Sequence, residues 1–184
     1  VVAIPSRRSL NEFLSAVCDE VYSATPCWRN ELINRRSLSS SAAAARRNLI
    51  EAMIEHQGEE ALGIQGTPPE RSMYESLLNV TGLHRKKDNK WGFQRPLAKA
   101  DPAFALVWKA IEHFFEQSQG KRQPIADLFA LLCGPPYGLK EGVLPVLLAA
   151  ALLYYDTEVA LYEDGTFVPV LKTAVFERSI HAPE

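Results

Sequence analysis

Eight side chains in the first half of the chain have the chemistry most worth placing: Arg29, Asn30, Arg35, Arg36, Arg46, Arg47, Lys86 and Lys87. Cations and an amide in these positions would contact the phosphates of a nucleic acid, or serve as a contact site on another protein. The run Arg85–Lys90 adds a second basic cluster beside Trp91. Basic residues next to an aromatic ring are one footprint of a nucleic-acid surface, because phosphates take the charge and a base stacks on the ring. The competing reading is a solvated face, partly paired with Glu31, Glu51 and Glu55. Charge is unevenly spread in the same sense. Residues 1–100 carry 14 Lys/Arg against 11 Asp/Glu, and residues 101–184 carry 6 against 11. A polyanion would therefore prefer the first half.

Other reactive side chains do not assemble into a pattern. His56, His84, His113 and His181 are widely separated, and His113 has Glu112 and Glu116 beside it but no second His at ligand spacing. Cys18, Cys27 and Cys133 are odd in number and irregularly spaced, which reads as reduced thiols in a cytosolic protein. Cys18 and Cys133 fall in apolar helical patterns and are expected to pack in a core. The pair Glu59-Glu60 sits in an expected exposed loop. Neither a phosphate-binding Gly-x-x-x-x-Gly-Lys-Ser/Thr loop, nor Gly-x-Gly-x-x-Gly, nor a Gly-x-Ser-x-Gly elbow occurs. The expectation is no cofactor, no metal and no catalytic constellation, hence no enzyme within this chain.

The elements that would hold these groups are mostly helices. Ser9-Leu10-Asn11-Glu12 reads as a capping box opening a helix with Leu10, Phe13, Leu14, Val17 and Val21 on its apolar face. A short helix is expected over Trp28–Asn34. Ser39 or Ser40 caps a longer one to about His56, with Leu49, Ile50, Met53 and Ile54 at helical spacing. Gly58–Gly66 reads as a loop. Thr67-Pro68-Pro69-Glu70 starts a helix, with Thr67 as cap, through Met73, Tyr74, Leu77 and Leu78 to near Gly82. The basic loop follows, then Trp91-Gly92-Phe93 as a short strand or a clasp onto the core. Asp101-Pro102 opens a fifth helix with Phe104, Val107, Trp108, Ile111, Phe114 and Phe115 on one face, stopped by Gly120.

The polar Ser118–Gln123 stretch suggests a boundary between a helical subdomain, 1–120, and a second module, 121–184. There Pro124 opens a helix to Leu132, Gly134–Gly138 turns, and a second helix runs from about Leu139 to Tyr155. Glu158–Tyr162 alternates like a strand, Asp164-Gly165 signals a hairpin turn and Thr166–Val170 returns. Thr173 caps a closing helix. Helix, turn, helix, hairpin is the winged-helix arrangement. The expected fold class is mainly α: a helical subdomain followed by a winged-helix-like module with one β-hairpin.

That module is poorly equipped for DNA. A recognition helix needs Arg, Lys, Asn or Gln on an exposed face, yet Val143–Tyr155 contains no charged or amide residue. The expected wing carries Glu158, Glu163 and Asp164 and no Lys or Arg, so it would repel phosphates. A helix apolar all round is normally buried all round.

With 184 residues, 47% hydrophobic and 23% charged, the composition is that of a globular chain able to bury a core. No apolar run reaches the 18 or so residues of a membrane span, and the start, Val1–Arg8, lacks the apolar stretch of a signal peptide. The absence of an initial Met suggests a portion of a longer, cytoplasmic polypeptide.

Two stretches together resemble a known family. One is Arg29-Asn30-Glu31-Leu32-Ile33-Asn34-Arg35 with Leu38-Ser39-Ser40 and Ala45-Arg46-Arg47. The other is Pro135-Pro136-Tyr137-Gly138-Leu139 through Val143-Leu144, with Val159-Ala160-Leu161-Tyr162. They resemble a region of large bacterial P-loop ATPases of phage-defence and restriction loci, of the BREX type, downstream of the ATPase core. The resemblance implies a winged-helix-like module entered through the Pro-Tyr-Gly segment, with any ATPase activity belonging to the parent. It carries no functional residue onto this chain. The leading expectation is a non-catalytic domain for assembly or protein–protein contact, its partner the remainder of a parent chain or its complex. The alternative is a nucleic-acid-binding module using the first-half basic residues.

Overall fold

A computed structural model describes residues 6–97 and 99–181, with only the backbone of His181. Val1–Pro5 and Ala182–Glu184, read above for a leader and a chain end, lie outside the described residues, as does the His181 side chain. The chain is mainly helical. Helix α1 spans Arg7–Val21, α2 Ser40–Glu55 and α3 Pro69–Met73, the last continuing as a π-helix over Tyr74–Asn79. Next come the hairpin of β1 (His84–Lys87) and β2 (Lys90–Phe93), then α4 (Pro102–Gln117), α5 (Ile125–Cys133) and α6 (Leu144–Tyr154). A second hairpin, β3 (Leu161–Glu163) and β4 (Thr166–Val168), precedes α7 (Thr173–His181). Each hairpin is a separate two-stranded antiparallel sheet. No helix among the described residues is long and apolar enough to cross a membrane.

The centre of the molecule is α6. Every residue from Leu144 to Ala151 is buried, so the apolar-all-round sequence does what it should. Alanines at 149–151 let neighbouring backbones approach, while Leu144, Val146, Leu147 and Leu148 each contribute about 1.5–3 kcal/mol by leaving water. Around α6 pack α2, which also meets α3 and α7, and β2; α5 lies on α4. One continuous core takes in Leu49 and Met53 of α2, Phe104 and Ile111 of α4, Leu128 of α5 and Phe176 of α7.

Several elements follow their local signals. The Ser39 side chain accepts from the Ala42 amide at the start of α2, and Asp101 accepts from Ala103 at the start of α4. Asp164 and Gly165 both have positive φ, as a two-residue hairpin turn requires.

Others correct the sequence reading. The cap of α1 is Ser6, whose hydroxyl accepts from the Ser9 amide, so the helix begins three residues earlier than the Ser9 box implied. No helix covers Trp28–Asn34. The Asn30 carboxamide oxygen accepts from the Leu32 amide, and the Asn34 amide donates to the Trp28 carbonyl. These side chains compete for backbone groups that a helix would use, and the segment becomes a series of turns. Pro68, not Thr67, is the N-cap of α3, and it makes no side-chain capping bond.

The basic loop is a hairpin, so the described residues form two hairpins where one was expected. Asp88 and Asn89 take positive φ, 49° and 64°, and form the turn between β1 and β2; short polar side chains tolerate this conformation best after glycine. Finally, α6 starts at Leu144, because Glu141–Val143 form a turn in which the Gly142 amide donates to the Arg35 carbonyl at 2.9 Å.

Candidate functional site

The first-half basic residues have quite different surroundings. Asn30 is 7% exposed, and its amide donates to the Ser72 carbonyl and the Ser76 hydroxyl. It fixes the 29–35 turn onto α3 from inside. Arg46 is half-buried; its guanidinium donates to the Gly142 carbonyl, and burial lowers its pKa against the opposing pull of Glu177. Arg47 pairs with Glu177 of α7 at 3.6 Å. This pair of arginines therefore joins α2 to α7 and to the turn before α6.

Arg35 pairs with Glu31 at 3.4 Å on the surface, and Arg29 and Arg36 are exposed. In the hairpin, Arg85 donates to the carbonyls of Gly82 and Arg95 and is committed to the local fold. Lys86 and Lys87 are exposed, with Lys90 opposite Lys87 in the register and the half-exposed Trp91 opposite Lys86. Of the basic residues singled out in the sequence, Lys86, Lys87, Lys90, Arg29 and Arg36 are thus the ones open to a ligand.

His84 holds this hairpin down. It is fully buried; its Nε2 donates to the Gln57 carbonyl at 2.9 Å, which leaves Nδ1 to accept from the Tyr74 hydroxyl at 3.1 Å. Its ring stacks on Trp91 and tilts against Phe93. Burial keeps the imidazole pKa below its ordinary value, and burial, reinforced by Glu75, pushes the Tyr74 phenol up to about 12. A neutral, doubly bonded histidine in an aromatic nest is a structural post.

The two stretches that carry the family resemblance lie against each other. A side chain at Gly142 would stand 2.3 Å from the Ile33 carbonyl and 2.8 Å from that of Arg35. The Ala24 amide donates to the Pro136 carbonyl at 3.0 Å. Gly138, at φ 60°, leaves space for Tyr22 and Thr25.

A cleft of about 1020 Å³ opens between the end of α4, α5, the β3–β4 hairpin and α7. Phe115, Leu128, Leu148 and Leu152 give it an apolar wall, and a cleft of this kind is where a ligand would be sought first. Two of its charges are matched to each other. Glu163 accepts two bonds from Arg178, at 2.6 and 3.0 Å, which hold its carboxyl below the usual range. Arg122 lies 3.8 Å over the Tyr162 ring and donates to the Gly165 carbonyl.

Nearby, the carboxylate Oε1 of Glu112 collects Trp108 Nε1, Tyr155 Oη and Arg95 Nε, at 2.9, 2.6 and 2.9 Å. Burial and the bond to Glu112 raise the Tyr155 phenol to about 12. This cluster ties α4 to the end of α6. Among the described residues no group of three His, Cys, Asp or Glu side chains is placed to hold a metal ion.

The surface that sequence reasoning misread is α1. None of its residues is buried. Phe13 and Leu14 are 50% and 49% exposed, and Val17 and Val21 are exposed with them. Cys18 is also exposed rather than packed. Periodicity revealed the stripe; nothing in the periodicity told that the body of this chain does not cover it. Phe13, Leu14, Val17 and Val21 therefore lie open at helical spacing on α1.

No family model, curated protein or solved structure matches the chain.

Proposed function

We propose that the chain is a non-catalytic helical domain, winged-helix-like in its last third, that serves assembly or protein–protein contact within a larger bacterial defence ATPase. The observation that carries the contact role is the uncovered apolar stripe of α1. The order α5, α6, β3–β4, α7 supports the winged-helix likeness. The helix that would be the recognition helix, α6, is buried, so its face is not offered to a DNA groove. The turn between β3 and β4 carries Asp164 and no base, and the nearest carboxylate, Glu163, is already neutralised by Arg178, so the hairpin offers phosphates no cation. The ATPase parent rests on the resemblance of the Arg29–Arg47 and Pro135–Tyr162 stretches. A nucleic-acid role is the second reading, favoured by the exposed Lys86, Lys87 and Lys90 beside Trp91.

Site-specific photo-crosslinking separates the two. A crosslinker replacing Leu14 is expected to give a protein–protein adduct, and one replacing Lys86 to give none with nucleic acid. In parallel, labelled duplex and single-stranded DNA are titrated at low and moderate salt. Tight binding that weakens with salt and is lost in Lys86→Glu/Lys87→Glu would overturn the contact reading. These lysines are the better probe, because substitution of Arg46 and Arg47 would also disturb the joint to Glu177.

A further inference from the structure

We infer that α1 pairs antiparallel with α1 of a second copy of this chain, an inference that rests on the contact role proposed for the same helix. The stripe has the spacing of a two-helix seam. Leu10, Leu14, Val17 and Val21 follow at intervals of four, three and four, with Phe13 beside them. The helix stands on its own: it joins the body through Tyr22–Thr25, where the Ala24 amide meets the Pro136 carbonyl. A lone helix of 15 residues is marginal in water, and this one has an added handicap.

Its charges oppose its own dipole. The first turn carries Arg7 and Arg8 and no acid; the last turn carries Asp19 and Glu20 and no base. Cations at a helix N-terminus and anions at its C-terminus are both unfavourable. An antiparallel second copy offsets both defects, because it lays the acidic end of one helix beside the basic end of the other and opposes the two dipoles. A parallel copy would set like charges together. With the two-fold axis between Phe13 and Leu14, Leu10 of one copy faces Val17 of the other and Phe13 faces Leu14, so the centre of the apolar seam is self-complementary, with Val21 at its edge. A lipid surface is the weaker fit, since Glu12, Asp19 and Glu20 outnumber Arg7 and Arg8 on the helix, and anionic headgroups select for bases.

The paired helices are about 22 Å long, at about 1.5 Å per residue. An interface of that size is weak, with a dissociation constant on the order of tens of micromolar. Sedimentation equilibrium of the full chain over a wide concentration range is the test. The expected result is a monomer of 20.5 kDa giving way to a dimer, with Leu14→Asp monomeric at every concentration and its unfolding midpoint equal to that of wild type in dilute solution, where wild type is monomeric too. Arg7→Glu/Arg8→Glu and Asp19→Arg/Glu20→Arg are each expected to weaken self-association by about fivefold or more, and an equimolar mixture of the two to recover it. In a Cys18→Ser/Cys27→Ser background, Leu10→Cys is expected to form a disulfide with Val17→Cys of another chain faster than with its own kind.

A wild-type chain that stays monomeric overturns the pairing, as does a dimer indifferent to Leu14→Asp. A protein adduct from position 14 in a monomeric chain would leave the contact role standing with another occupant. An adduct confined to its own chain would remove both.

Discussion

Replacing Gly142 by alanine tests whether the 29–38 turns and the segment before α6 are seated as described. The added methyl would lie 2.3 Å from the Ile33 carbonyl oxygen, 2.8 Å from that of Arg35 and 2.8 Å from Leu38 Cδ2. Two of these neighbours are backbone, which cannot swing aside as a long side chain can. Relief requires the turn to move away from residues 33–35, which lengthens the 2.9 Å bond from the Gly142 amide to Arg35 and the contact of Arg46 with the Gly142 carbonyl. Overpacking of this kind costs about 1–3 kcal/mol, and a stretched hydrogen bond adds about 1 kcal/mol. The expected loss is therefore roughly 2–4 kcal/mol, a fall in Tm of roughly 4–16 °C at about 2–4 °C per kcal/mol for a chain of this size. Circular dichroism at 222 nm, followed through heat and urea unfolding, measures it. Gly58→Ala is the control, since a methyl there meets nothing within 4 Å. If Gly142→Ala unfolds within about 0.5 kcal/mol of wild type, the proposed close approach is not present in solution and the seating of the two stretches is wrong.

Three further outcomes are expected. The His84 pKa is lowered in the fold by burial, so the folded state prefers the neutral ring; this contribution is complete above the ordinary His pKa of about 6.5 and is lost as pH falls below it. Urea midpoints between pH 7.5 and 5 should show that decline, and His84→Phe, though less stable overall, should show a flatter one; equal slopes would refute the buried neutral role. Phe176 is fully buried between α7 and the core, so Phe176→Ala should cost about 3–5 kcal/mol by urea titration, while Phe167→Ala, at a half-exposed ring, should cost under about 1 kcal/mol. In dilute protein a colorimetric thiol reagent should modify Cys18 and Cys27 rapidly, both being exposed, and Cys133 slowly, its thiol pKa being raised by burial; three equal rates would contradict this.

What the sequence made legible was what chemistry local to the element decides. Ser39, Asp101-Pro102 and Asp164-Gly165 each act on amides or dihedrals within three residues, so their roles survive into the fold. The apolar run of α6 likewise announces burial without help from elsewhere. Long-range choices were not legible. The partner of Arg47 is 130 residues away in Glu177, and nothing near Arg46-Arg47 distinguishes a joint from a polyanion surface. Asn30 looked like a contact group because an amide between charged residues usually faces water; here Ser72 and Ser76, on the π-helical stretch and its approach, claim it. The Arg85–Lys90 segment hid its hairpin behind side chains that avoid strands, and only the αL tolerance of Asp88-Asn89 pointed to the turn. For α1, the amphipathic pattern specifies that a face will be covered and is silent on which molecule covers it.

The position of α6 along the chain has a consequence for synthesis. The helix at the centre of the molecule is encoded at residues 144–154, so α2, α3 and α4 leave the ribosome before the surface they close upon exists. At about 5–20 residues per second their apolar faces wait for several seconds with only one another for cover. A nascent chain arrested before residue 144 should therefore be held by a ribosome-associated chaperone, remain sensitive to protease, and become resistant only once α6 has cleared the exit tunnel.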